Sequence, residues 1–267
     1  MRLTREQSVA IPHSAWAVLA ATGLGMFLVG LDVSIANIAF PDIRRSFPRA
    51  SFADLSWVLN AYIVLYAGLL IAAGRIADRI GRRRVYLTGL TGFVAASALV
   101  ASAPSAETLI GARAAQGAFA AIATPASLGL LVAAFPPERR AMAVSLWGAI
   151  LAVAVATGPS VGAAVIEAAS WRWAFLLNLP IGLIVLLFAY RVLRESPPDT
   201  TSTRPDILGG LLVTATVALA ALAIVQGRDW GWTSAAVIGT LAAAGAALLT
   251  LVWRAPPSSA NRAAAPV

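Results

Sequence analysis

Cysteine and lysine are both missing from this 267-residue chain, and histidine occurs once, as His13. Without cysteine there can be no disulfide, no thiolate metal site and no Cys nucleophile. With one histidine, metal chemistry and a Ser/His hydrolase are nearly excluded. All 20 basic residues are arginine, which reflects a GC-rich genome more than a selected chemistry. Charge as a whole is scarce: charged residues make up 12% of the chain, about half the share usual in soluble domains.

Hydrocarbon takes the place of charge. Apolar residues reach 59% and the mean hydropathy is +0.80. Eight apolar windows, near 15–40, 55–74, 85–103, 107–133, 141–168, 173–193, 207–226 and 235–253, each approach the ~20 residues that cross ~30 Å of bilayer core. Their continuity is foreign to the alternating pattern of a membrane barrel, so the fold class is an all-α membrane protein. The first span is too long for a cleaved signal and lacks a small-x-small site between Asn37 and Pro41.

The formal charge of +8 would suggest nucleic acid in a soluble protein, but the arginines sit in short loops between spans and report topology instead. The N-terminal side carries most of them, including Arg2, Arg5, the run from Arg75 to Arg84, Arg139, Arg140, Arg191 and Arg194. The opposite side carries Arg44, Arg45, Arg49, Arg172 and Arg228, the first three partly offset by Asp42 and Asp54. The positive-inside rule makes both termini cytoplasmic. The polar stretch around Pro197 and Pro198 reads as a flexible linker, and the Ala/Pro/Ser-rich tail as disordered.

Four segments carry the functional signal. Between spans 2 and 3, Gly74-Arg75-Ile76-Ala77-Asp78-Arg79-Ile80-Gly81-Arg82-Arg83 reads as a loop in which the glycines permit tight turns and Asp78 caps a helix or pairs with arginine. A generic positive-inside loop explains its arginines but not its spacing. The first span holds Leu31-Asp32-Val33-Ser34-Ile35-Ala36-Asn37-Ile38-Ala39-Phe40-Pro41, the fourth holds Arg113-Ala114-Ala115-Gln116-Gly117, and the fifth holds Gly158-Pro159-Ser160-Val161-Gly162. Trp171-Arg172-Trp173-Ala174-Phe175 and Asn178-Leu179-Pro180-Ile181-Gly182 follow.

Together these resemble the major facilitator superfamily, in its fourteen-helix drug:proton antiporter branch, over roughly residues 15–253. The resemblance implies a six-helix transporter half over 1–195, a cytoplasmic linker over 196–206, two additional transmembrane helices over 207–253 and a tail over 254–267. It also implies proton-coupled efflux of small lipophilic or cationic compounds across the cytoplasmic (inner) membrane, with the proton gradient as energy source and no cofactor. The gating role falls to Gly74, Asp78, Arg79, Gly81, Arg82 and Arg83. Coupling of proton and substrate falls to Asp32, Arg113, Asn37 and Gln116, and the antiporter helix is marked by Gly158, Pro159 and Gly162. The implied partners are membrane lipids, a drug-like small molecule and a facing half, supplied by about six further helices or by a homodimer; nucleic acid is not among them.

The residues themselves support part of this. A charge inside the bilayer costs several kcal/mol unless paired or hydrated. Helix rise puts Asp32 ~12 Å and Arg113 ~9 Å below the outer ends of their spans, so an ion pair is geometrically open to them. A carboxylate balanced between desolvation and a nearby cation can exchange a proton in the working range; a static pair that fixes packing is the competing explanation. Glu167, near the end of span 5, reads as a hydrated interfacial carboxylate. Ala154, Gly158 and Gly162 form a small-residue seam for another helix, and Pro159 predicts a bend. Phe27, Trp57, Tyr62 and Trp147 are candidates to line a cavity, while Trp171, Trp173, Trp230 and Trp232 read as interfacial anchors. No nucleophile with its base, metal cluster or phosphate loop suggests an enzyme. A membrane fragment or a regulatory or assembly partner that does not transport remains the alternative.

Overall fold

The computed structural model describes residues 11–195 and 207–254. The linker and tail expected at 196–206 and beyond 254 lie outside the described residues. Nine α-helices occur among those described: α1 (His13–Ser46), α2 (Phe52–Ile80), α3 (Arg82–Ser102), α4 (Ala106–Ala134), α5 (Arg140–Ala168), α6 (Trp171–Leu176), α7 (Asn178–Val192), α8 (Ile207–Trp230) and α9 (Ala235–Arg254). The short α6 runs into α7, so these nine make eight segments long and apolar enough to cross a membrane. Each expected window is recovered as one of them.

Local chemistry sets the starts of two helices. Ser51 and Asp54 form a reciprocal capping box at α2, and Ser105 with Thr108 does the same at α4, which satisfies first-turn N–H groups that have no partner inside the helix. Asp54 thereby caps α2 through Ser51, and Asp42 pairs directly with Arg45 at 2.5 Å.

The first six spans pack as two interleaved sets of three. The contacts of α2 with α4 and of α1 with α5 are among the three most extensive, and exchanging the first three spans for the second three converts one pair into the other. Small residues allow these approaches. At Gly117 on α4 an added Cβ would overlap the backbone of Tyr62 on α2, so no larger residue fits that crossing. α8 packs on α2 and α9 on α8, with Gly68 set against Thr214.

The four tryptophans expected as interfacial anchors divide by exposure. Trp173, Trp230 and Trp232 are exposed, whereas Trp171 is buried (3% exposed), stacks edge-on with Phe175 and donates from Nε1 to Ser46 Oγ at 2.9 Å. Its indole has a polar partner inside the protein and a wall of apolar rings, so it packs inward.

Candidate functional site

At the middle of the first six spans lies a buried polar cluster drawn from six helices. Asp32 from α1 is its centre. Arg113 from α4 donates through one terminal nitrogen to Asp32 Oδ2 at 2.6 Å and to Gln116 Oε1 at 2.6 Å. Gln116 Nε2 donates to Asp32 Oδ1 at 2.8 Å, and Asn178 Nδ2 from α7 donates to the same oxygen at 2.7 Å. Behind them Ser97 from α3 accepts from Gln116 at 2.8 Å and from Asn178 at 3.3 Å, while its own hydroxyl donates to the Phe93 carbonyl at 2.9 Å. Arg113 Nε donates to the Val58 carbonyl of α2 at 3.0 Å. The guanidinium is flanked by the rings of Tyr62, 4.5 Å away, and Phe175 of α6, 5.5 Å away.

All the polar side chains of this network are buried, so their hydrogen bonds are made in a medium without competing water. Desolvating two ions is expensive, and the Asp32–Arg113 attraction offsets that only with additional donors and acceptors around the pair. Gln116, Asn178, Val58 and the two rings provide them. Two buried polar atoms at its edge, Tyr62 Oη and Asn178 Oδ1, have no hydrogen-bond partner.

Of the four residues expected to couple proton and substrate, the structure brings together Asp32, Arg113 and Gln116. Asn37 stands apart: it is exposed, and its amide donates back to the Val33 carbonyl at 2.8 Å. One and a half turns beyond Asp32, it cannot reach the cluster without unwinding α1. Asn178 and Ser97 were not singled out as site residues. An amide inside an apolar span must find partners, which is a usable signal for Asn178. A serine at such depth normally bonds its own preceding turn, and Ser97 does so while also joining the cluster. Tyr62, a candidate cavity wall, is instead the ring against Arg113.

The segment Gly74 to Arg83 is not a loop. α2 continues through Ile80 and α3 starts at Arg82, leaving Gly81 between them. Gly74 lies inside α2, where its close neighbour is Pro125 of α4, so the expected turn there is corrected to a helix contact. Gly81 alone makes the turn, with φ +110°, a conformation that a Cβ would strain. Asp78 holds Arg82, which also donates to the Gly129 carbonyl of α4 at 3.0 Å. Arg83 donates to the Tyr190 carbonyl of α7 at 2.9 Å and lies over the Tyr190 ring. Arg79 is exposed. Glu195, beyond the end of α7, accepts from the Arg83 backbone N–H at 3.0 Å and approaches Arg84 at 3.7 Å. Gly81 contributes no side chain to cap α3, and the Glu195 carboxylate takes that place, where the helix dipole favours a negative charge.

On α5, Ala154, Gly158 and Gly162 are buried and form a seam against α1: added Cβ atoms at Gly158 and Gly162 would meet Ser34 and Ile35. Among the described residues no group of three or more His, Asp or Glu side chains could hold a metal ion.

Long apolar helices around a buried Asp/Arg/amide network make this a multi-pass helical membrane protein, and comparison with known proteins specifies the family. Residues 22–212 match the family model described as Major Facilitator Superfamily, and the chain belongs to that superfamily. It is 37% identical over 239 residues to the methylenomycin A resistance protein of Bacillus subtilis (strain 168), covering 89% of this chain and 51% of that protein. It is 40% identical over 236 residues to the protein of the same name from Streptomyces coelicolor, covering 87% and 49%. The multidrug resistance protein Stp of Mycobacterium tuberculosis is 38% identical, with 88% of this chain and 44% of that protein covered. The chain thus spans about half the length of these relatives. Among solved structures, a peptide transporter POT superposes with a TM-score of 0.66 at 13% identity, covering 94% of this chain and 55% of that one. The human organic anion transporter MFSD10 gives 0.61 at 20%, covering 81% and 57%. These superpositions establish the fold.

Proposed function

We propose that this chain forms one half of a proton-driven exporter of small lipophilic or cationic compounds, with its N-terminal side facing the cytoplasm. The relatives are resistance and multidrug resistance proteins by name, and the arginine bias of the loops supports the orientation. The facing half comes from further helices of a longer protein or from a second copy. The observation that carries the proposal is the state of Asp32, whose two oxygens already accept from Arg113, Gln116 and Asn178. Oδ1 takes two of these donors and Oδ2 takes Arg113 alone, so a proton taken up on the open side of Oδ2 removes the charge with which Arg113 pairs. Proton uptake then weakens the attraction that holds α1 to α4 and favours a different packing of these helices, which is what couples a proton to a change of conformation.

Proteoliposomes holding this chain, with a dye-like cation inside and an imposed pH gradient, test the proposal. Proton-dependent export that Asp32→Asn abolishes is expected. Export that persists in Asp32→Asn and in Arg113→Ala would sink the coupling role. The length match, about half of each relative, favours one alternative: membrane insertion without export, as a fragment or assembly partner, with export restored when the facing half is co-expressed.

A further inference from the structure

We propose that Ser34 supplies the hydrogen-bond donor that Pro159 takes away from α5, so that the setting of α5 depends on the rotation of α1. In a regular helix the N–H of residue 159 donates to the carbonyl of residue 155. Proline has no N–H, and Val155 O loses its partner within the helix. Ser34 Oγ donates to that carbonyl from α1 at 2.9 Å. Most serine and threonine hydroxyls of the bundle bond the preceding turn of their own helix, as Thr124 does to Ala120 and Thr157 to Val153; Ser34 crosses to a neighbour.

Gly158 makes the crossing possible, because a Cβ there would collide with Ser34 Cβ and Oγ. One residue makes room, the next removes a donor, and a third from another helix replaces it.

Asp32 and Ser34 are two residues apart, about 200° around α1, and they face α4 and α5. A rotation of α1 that withdraws Asp32 from Arg113 also withdraws Ser34 from Val155 and frees α5 at the point where its own hydrogen bonding is interrupted. Ser34 is thus a positioning residue. This last step rests on the proposed transport function; the exchange of donors does not.

A double-mutant cycle on the full chain tests it, read as thermal unfolding in detergent. Ser34→Ala should lower Tm by roughly 2–4 °C, and Ser34→Thr should stay near the parent. In a Pro159→Ala background, where residue 159 again has an N–H, Ser34→Ala should cost almost nothing. If Ser34→Ala alone does not fold, adding Pro159→Ala should restore folded yield. Equal losses in both backgrounds, failure of the threonine variant, or no recovery would overturn the proposal. Coupled losses in a chain that exports nothing would support it and count against the transport reading alone.

Discussion

The side-chain amide of Asn178 on α7 donates to Asp32 on α1 at 2.7 Å, joining residues 146 positions apart in a site where both are buried. This bond brings the sixth membrane segment into the network. Replacing Asn178 by leucine should destabilise the protein by about 1.5–3 kcal/mol, the range for a hydrogen bond to a charged group, read as a drop in Tm. Asn178→Asp should behave differently. With both carboxylates ionised at high pH they repel across the shared site, and at lower pH one takes a proton and donates to the other. The Tm deficit of Asn178→Asp should therefore shrink as pH falls; a deficit independent of pH would contradict the geometry.

Arg113 and Asp32 should be strongly non-additive. Arg113→Leu alone leaves a buried carboxylate without its cation, a cost of about 3–5 kcal/mol, and Asp32→Asn alone strands the guanidinium. The combined Arg113→Leu/Asp32→Asn protein removes both charges and should recover a large part of the folded yield on size-exclusion chromatography. A double variant as poor as the sum of the singles would show that the two do not act as a pair.

Gly117 and Gly111 provide a matched comparison on α4. An added Cβ at Gly117 overlaps the Tyr62 backbone, whereas at Gly111 nothing lies within 4 Å. Gly117→Ala should force α2 and α4 apart and weaken the Arg113–Val58 bond, lowering Tm sharply. Gly111→Ala should be neutral or stabilising by up to ~1 kcal/mol, the difference in helix propensity.

At the turn between α2 and α3, Gly81→Ala should cost about 1–3 kcal/mol for the positive φ and more where its Cβ meets the Glu195 carboxylate 2.6 Å away. Glu195→Ala alone loses the surrogate cap and should cost less. In the double variant the collision is gone but the backbone angle is unchanged, so Tm should recover in part.

The number and positions of the membrane segments were legible because a span is a long, uninterrupted stretch of one chemistry. Asp32 and Arg113 were legible for the same reason: a charge in such a stretch demands a partner. Their contacts with Asn178 and Ser97 depend on how α3 and α7 rotate against α1, and neither rotation leaves a mark in composition. Asn37 shows the converse, since its motif placed it beside Asp32 while helix geometry turned it outward. Glycine misled between spans 2 and 3. Gly74 and Gly81 look alike as letters, yet one serves close packing inside a helix and the other a positive φ between two. A tryptophan at a span end has two uses, anchoring at the interface or packing inward, and for Trp171 its bond to Ser46 decides which.

With Gly81 as the whole connection between α2 and α3, the two helices have no slack between them. Arg82 and Arg83, the first residues of α3, are already fastened to α4 and α7. The corner therefore ties the end of α2 to α4 and α7 through the first two residues of α3.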